Sequence, residues 1–350
     1  MCVSRLGRAA LALLLLPLLG STGDTLRSAA AARRILVGAA VDPTHLGESQ
    51  YASTLGREFS QIQPENMTKM AAIQPERGLF DFRAADAIVA FSEAHNMKVR
   101  GHTLVWHEAL PGWLTSAKFT PAEILDIMRT HIRTEVAHFA GRIYAWDVVN
   151  EAITGDGAMR SDVYSDRPGT GLPGKYGYIA EAFRVAHDAD PKAILFYNDY
   201  DTEVSNAKSD AVYEMVRWLI SDGVPIGGVG FQCHLALKGI ARQDMMANLR
   251  RFVALGVEVQ ITELDVSVPV NAKGIAKPAD LDQEARDYSD IAGACLAVRH
   301  CTAIQTWGFT DRYSWIPGER KGFGAALPFD VDYRPKPAYR ALLDAFTAKP

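Results

Sequence analysis

No apolar run in this chain approaches the roughly 20 residues of a membrane-spanning helix; the run at 9–19 covers only eleven. Nor is there an excess of charge of either sign. Lys and Arg number 37 against 41 Asp and Glu, a formal net charge of −4, and no polybasic patch stands out, which argues against nucleic acid as a partner. An uncharged substrate fits that balance. Cysteine is scarce, four in 350 residues. CxxC pairs, an HExxH helix, a G-x-S-x-G elbow and a GxGxxG turn after the first strand are all missing, so no metal, cofactor or nucleophilic serine is expected. Linear repeats and Pro- or Ser-rich linkers are missing too, and with them any sign of an appended binding module. The 48% hydrophobic content excludes a disordered or collagen-like chain and leaves ample material for a large core.

The N-terminus reads as a targeting segment. Arg5 and Arg8 precede the apolar run, and small residues follow it at 20–23. This is the layout of a secretory signal peptide, and a frayed amphipathic helix would not be apolar on every face. Residues 1–23 are expected to be removed, with the boundary anywhere from 20 to 32 because 29–32 offers a second run of small residues. Losing Arg5 and Arg8, two positive charges, moves the net charge from −4 to −6. The mature protein is expected to be a secreted or periplasmic monomer, soluble and away from membranes.

Cys2 leaves with that segment, so Cys233, Cys295 and Cys301 remain. Cys295 and Cys301 lie six apart where a helix gives way to a strand. A small loop there can bring two Cα atoms within the roughly 4.4–6.8 Å that a disulfide needs. A disulfide is expected, with Cys233 as a buried thiol; a metal site is the weaker alternative.

From residue 35 onward, short β-branched or apolar runs alternate with stretches of helical period. Strands are expected at 35–41, 61–66, 98–106, 144–151, 193–200, 228–234, 258–265 and 303–309, and helices at 84–96, 121–141, 175–190, 208–223, 242–256, 280–300 and 336–346. Thr120-Pro121-Ala122-Glu123 supplies a cap, a first-turn proline and a capping-box glutamate, while Gly223 and Gly256 follow their helices as C-caps do. Eight strands, each followed by a helix or a long loop, are the arithmetic of a single-domain (β/α)8 TIM barrel over 35–346.

Polar residues crowd the C-terminal ends of these strands: Glu65-Asn66, His102 with Trp106-His107, Asn150-Glu151, Asn198-Asp199, Gln232 with His234, Glu263 with Asp265, and Trp307. Buried strands have no structural need for such groups, which cost several kcal/mol when unpaired. One of them could be a solvated rim residue; the set points to the barrel mouth where active sites are built. Glu151 after the fourth strand and Glu263 on the seventh can face each other across it. Glycoside cleavage asks for that pair, one carboxylic acid to protonate the leaving oxygen and one carboxylate to attack or to activate water. Trp106, Trp307 and Trp315, with Tyr197 and Tyr200, also fall at strand ends, where aromatic faces suit the flat C–H faces of sugars. Trp113, Trp146 and Trp218 read as core.

These residues resemble glycoside hydrolase family 10, whose members are mainly endo-1,4-β-xylanases. The resemblance runs through GHTLVWH (101–107), WDVVNEA (146–152), YNDY (197–200), GFQCH (230–234), ITELD (261–265) and WGFTDRYSW (307–315), in that order. It implies xylan and xylo-oligosaccharides as substrate and a retaining double displacement, with Glu151 as acid/base and Glu263 as nucleophile. It further implies that Asn150 holds the sugar 2-hydroxyl and that His234 hydrogen-bonds Glu263 with Asp265 in support. By the same resemblance Glu65, Asn66, Lys69, His102, Trp106 and Gln232 line the glycone side, and Trp307 and Trp315 close over it. The CLAVRHC segment, 295–301, resembles the family's disulfide loop. Three positions depart from the family's pattern: Glu108-Ala109 after His107, Asp201 after YNDY, and Arg312-Tyr313 before Ser314-Trp315. The competing expectations are a non-catalytic glycan-binding protein on the same barrel and a retaining glycosidase for a related β-1,4-glycan.

Overall fold

Each of the eight apolar runs becomes a strand because β-branched and aromatic side chains pack well on a pleated surface covered on both faces. The computed structural model describes residues 24–165, 172 and 174–348; the expected signal segment, 1–23, lies outside them. The barrel strands are β1 (Leu36–Val41), β2 (Gln61–Pro64), β3 (Lys98–Val105), β4 (Ala145–Asn150), β5 (Ile194–Asp199), β6 (Gly228–Phe231), β8 (Glu258–Pro269) and β9 (Cys301–Thr306). All neighbours pair in parallel, and β9 pairs with both β8 and β1, which closes the sheet into a barrel. Two short strands decorate it: β7 (His234–Ala236) lies beside the upper part of β8, and β10 (Phe323–Gly324) runs antiparallel to that strand's end.

The expected sixth strand, 228–234, is therefore two pieces. Cys233 has φ 62°, a left-handed backbone that no extended strand can continue through. The expected seventh strand runs on to Pro269 rather than ending at 265.

Among the described residues, one main helix follows each barrel strand. Helix Pro121–His138 starts as expected, with Thr120 and Glu123 in a reciprocal capping box. Gly223 and Gly256 take positive φ just past their helices. Helix Ser49–Glu58, between β1 and β2, is an addition to the sequence reading. Its buried face is Tyr51, Thr54, Leu55 and Glu58, half of it polar, so the apolar stripe that normally betrays a helix is too thin to see.

Upstream of the 35–346 span, helix Leu26–Ala32 is capped by Thr25 and buries Leu26, Ala29 and Ala30. The Leu26 N–H donates to Glu58 Oε2 at 3.1 Å, and Arg27 donates to the carbonyls of Gly56, His95 and Asn96. This helix packs on the closing helix Pro337–Thr347.

Outward-facing strand residues such as Trp146 and Leu195 form the core beneath the helices. Gly101 makes room there, since a Cβ on it would sit 2.2 Å from the Trp146 ring. The barrel interior is a polar layer. Gln61 donates to Gln305 at 2.7 Å, Gln305 to Gln63 at 2.7 Å, and Arg100 to Gln260 at 2.8 Å. Pairing these amides with one another offsets the cost of burying them. At the opposite end from the mouth, Cys295 and Cys301 form a disulfide with Cα atoms 5.4 Å apart, and Cys233 is a buried free thiol. No helix among the described residues is long and apolar enough to cross a membrane.

Candidate active site

Where the strands end at the barrel mouth, the chain turns away and leaves its last side chains facing a common space. A cleft of about 490 Å³ opens there. Glu151, Glu263, Glu65, Asn66, Lys69, His102, Trp106, Asn150, Gln232, His234, Trp307 and Trp315 all line it. Asp265 does not; it lies buried behind His234.

Glu263 projects from β8 and is almost fully buried. Its Oε2 lies 3.1 Å from His234 Nε2, and its Oε1 accepts from Asn198 Nδ2 at 2.8 Å. The second ring nitrogen of His234 lies 3.0 Å from Asp265 Oδ2, which also accepts from Trp315 Nε1 at 2.7 Å. Carboxylate oxygens only accept, so the imidazole serves both partners when both ring nitrogens carry protons. Burial opposes that charge, but the flanking Asp265 and Glu263 outweigh it and push the His234 pKa well above its ordinary value. For Glu263, burial pulls the pKa up; attraction to His102 and the hydrogen bonds from His234 and Asn198 overcome this and hold the carboxyl at about 2.

Glu151 stands just past β4 with φ 58°. Neutral donors surround its carboxylate: Asn150 Nδ2 and Gln232 Nε2 each at 2.9 Å from Oε1, and Trp106 Nε1 at 3.0 Å from Oε2. Asn150 Oδ1 accepts in turn from Asn198 Nδ2 at 2.8 Å, so Asn198 bridges the two carboxylates' surroundings. Gly230 leaves the space for it; a Cβ at that position would stand 2.2 Å from Asn198 Oδ1.

The remaining wall is cationic and aromatic. Lys69 Nζ donates to Asn66 Oδ1 at 2.9 Å and lies 4.8 Å from the Trp106 ring and 5.4 Å from that of Trp307. Burial lowers the Lys69 pKa, and it raises that of Glu65 across the same space. Trp307 meets the His102 ring edge-on at 5.3 Å, and Trp315 packs on His234 at 4.9 Å. Among the described residues, no group of three or more His, Cys, Asp or Glu is arranged to hold a metal ion.

Some positions that shape the site escaped the sequence reading. Asn198 was visible only as a polar strand end, and its bridging place depends on three strands meeting. Arg100 and Asp147 lie inside the barrel; Asp147 forms an ion pair with Arg100 and holds His102 Nδ1 at 3.0 Å. Their signal was charge in the middle of apolar strands. Tyr197 corrects an expectation: it is fully buried behind the mouth, not on the cleft wall. Tyr200 does line the cleft, as do Glu108, Asp201 and Glu319. Two departures from the family pattern, Glu108 and Asp201, thus touch the cleft. Tyr313 faces outward instead, stacked on His45 at 3.6 Å and donating to Glu48.

Comparison with known proteins agrees with this geometry. The Glycosyl hydrolase family 10 profile matches residues 25–345. Endo-1,4-beta-xylanase B of Thermotoga neapolitana is 43% identical over 300 residues, 86% of this chain and 84% of the relative. An endo-1,4-beta-xylanase of Agaricus bisporus is 40% identical over 314 residues, 89% and 90% of the two chains. The crystal structure of xylanase 10B from Thermotoga petrophila RKU-1 in complex with xylobiose superposes with a TM-score of 0.89 at 41% identity, covering 93% of this chain and 98% of that one. A profile match over most of the length, relatives above 30% identity and the shared barrel lead to one conclusion: the chain belongs to glycosyl hydrolase family 10.

Proposed function

We propose that this protein hydrolyses internal 1,4-β-D-xylosidic linkages of xylan and xylo-oligosaccharides by retaining double displacement. The observation that carries this reading is a pair of glutamates sharing one cleft in contrasting surroundings. Glu263 is held ionised at about 2 by His102, His234 and Asn198 against the effect of burial; Glu151 is met by uncharged donors alone. A carboxylate that stays charged suits a nucleophile, and one whose hydrogen bonds come from uncharged donors suits a group that must gain and lose a proton.

In the first step Glu263 attacks the anomeric carbon while Glu151 gives its proton to the departing glycosidic oxygen. The C1–O bond to the leaving sugar breaks, and a C1–O bond to Glu263 forms. In the second step Glu151, now a carboxylate, takes a proton from water. The water oxygen bonds to C1, and Glu263 leaves as a carboxylate, restoring both groups. Asn150, fixed between Asn198 and Glu151, is assigned to the 2-hydroxyl of the sugar at the cleavage point. Lys69, Asn66, Glu65, His102 and Gln232 are assigned to the glycone hydroxyls, and Trp106, Trp307 and Trp315 to the sugar faces. No cofactor is needed for this chemistry.

Loss of residues 1–23 and action as a monomer outside the cell or in the periplasm belong to the same proposal. The buried contacts of helix Leu26–Ala32 support a cut near 23: one within 29–32 would strip side chains from the core.

The test is the anomeric form of the first product. NMR of xylo-oligosaccharide hydrolysis should show the β-anomer forming first and the α-anomer only through later equilibration. An inverted first product sinks the retaining mechanism, and no hydrolysis of soluble xylan at all would favour the non-catalytic reading.

A further inference from the structure

Behind Glu151, on the side away from the cleft, lies a buried chain of polar groups that the proposed mechanism does not use. Tyr197 on β5 is fully buried, and its hydroxyl accepts the backbone N–H of Ala152, the residue after Glu151, at 3.0 Å. The same hydroxyl donates to Asp199 Oδ2 at 2.5 Å. Asp199 Oδ1 lies 2.7 Å from Lys208 Nζ, contributed by the first turn of helix Ala207–Ser221. Asp199 and Lys208 are 0% and 1% exposed. The Lys208 ammonium also sits 3.3 Å from the centre of the Tyr200 ring, whose other surroundings include the cleft.

A buried ion pair is a poor stabiliser, because desolvating both charges offsets most of their attraction. Its value here lies in what it orients. A hydroxyl has one proton; with that proton committed to Asp199, a lone pair of Tyr197 is left for the Ala152 N–H. Lys208 keeps Asp199 in place to take the proton.

The backbone at stake is strained. Glu151 has φ 58°, the left-handed region that side-chain-bearing residues seldom occupy. Three bonds hold it there: its own N–H to Asn198 O at 2.9 Å, its carbonyl from Arg160 Nε at 2.8 Å, and the following N–H to Tyr197. The first runs between neighbouring strands and the second from a loop residue. The third alone is braced by a buried charge.

We infer that Lys208, Asp199 and Tyr197 form a positioning relay for the acid/base carboxylate, fixing the peptide after Glu151 and so the direction from which its proton reaches the glycosidic oxygen. This rests on the reading of Glu151 as acid/base. A relay that aims the proton matters only to reactions that need the proton. Xylo-oligosaccharides need it, since a sugar alkoxide leaves poorly; an aryl xylobioside with a dinitrophenolate leaving group does not.

The experiment compares kcat/KM, which reports the step that breaks the glycosidic bond, on both substrates for Tyr197→Phe, Asp199→Asn and Glu151→Ala. Tyr197→Phe keeps the ring and removes only the hydroxyl. It should lower kcat/KM on xylotetraose about 10-fold, a partial loss of what general acid catalysis supplies. On the aryl substrate the loss should stay below about 2-fold, and the inhibition constant of xylobiose should not move. Asp199→Asn retains an acceptor for the hydroxyl and should give the same split at smaller size; it serves as the readout if Tyr197→Phe does not accumulate folded. Glu151→Ala should show the split most strongly. Equal losses on both substrates for Tyr197→Phe and Asp199→Asn, or no loss, beside a split for Glu151→Ala, would overturn the relay and leave the acid/base reading standing. Equal losses for Glu151→Ala would overturn that reading itself.

Discussion

Glu151, at the end of β4, is met by the neutral groups of Asn150, Gln232 and Trp106, whereas Glu263, on β8, is gripped by a histidine that is itself clamped by Asp265. The β4 side gives its carboxylate hydrogen bonds from uncharged groups and a strained backbone. The β8 side commits charge: a carboxylate–imidazole–carboxylate run, with His102 facing Glu263 Oε1 at 3.9 Å and tied to Asp147 behind. In the proposed mechanism one half of the mouth lets a proton come and go, and the other keeps a negative charge where it is. Low effective dielectric makes each choice count for more than it would in water.

The largest effect should come from the charged half. Glu263→Ala is expected to lower kcat by about 10⁵-fold or more with little change in xylobiose affinity, because binding is spread over many polar and aromatic groups. A modest loss in steady-state kinetics would end the assignment of Glu263 as nucleophile. Next in size is Glu151→Ala, expected to cost about 10²- to 10³-fold in kcat/KM on xylo-oligosaccharides. On the dinitrophenyl substrate it should instead slow the hydrolysis of the intermediate, seen as a burst of phenolate in stopped-flow. Absence of both the difference and the burst would erase the contrast between the halves.

Asp265→Asn should reduce kcat about 10-fold, by removing the charge that keeps His234 protonated and by releasing Trp315. The accompanying signature is a lowered His234 pKa, followed by NMR of its ring protons; an unmoved histidine resonance would show that Glu263 needs no such support.

The contrast also has a pH sign. Glu263 is depressed to about 2 in the folded protein, against about 4.3 for an unfolded glutamate. Its contribution to stability is thus complete above about pH 4.3 and is lost as the pH falls through about 2. His234, raised by its carboxylates, runs the other way: its contribution is complete below about pH 6.5 and fades as the pH climbs through its folded value. The melting-temperature gap between wild type and Glu263→Gln should therefore narrow as the pH falls from about 5 to about 2, measured by calorimetry. A gap that does not narrow contradicts the assigned ionisation.

The smallest effect is expected farthest from the mouth. The Cys295–Cys301 loop is short, with a sequence separation of 6, and in the chain-entropy model it contributes about 2 kcal/mol. The double Cys→Ser variant should keep full activity and melt a few degrees lower. Thiol titration of the oxidised, unfolded protein should find Cys233 as the one reactive sulfhydryl outside residues 1–23; loss of activity in the double variant would show that the bottom of the barrel does reach the mouth.

Local chemistry was enough to see much of this protein in its amino-acid order. Strand and helix alternate visibly because their apolar periods differ, and β4 announces itself by AWDVVN. Helix Pro121–His138 was legible from its cap because a capping box is a contact between neighbours in the chain. The two glutamates and their polar companions stood out because charge at the end of a buried strand has no cheap structural reason to be there. Helix Ser49–Glu58 stayed hidden because its inward face is half polar, and two of the three partners that let Glu58 sit there, Leu26 and Tyr339, lie 32 and 281 residues away, the third being its neighbour Arg57. The break at Cys233 was hidden for a like reason: a left-handed residue held by Glu203 Oε1 on its N–H at 2.8 Å is a decision made by a loop 30 residues upstream. Above all, the different treatment of the two carboxylates belongs to the closed barrel. Asn198, His102 and His234 reach Glu263 from three other strands, and only closure brings those strand ends within hydrogen-bond distance of one another.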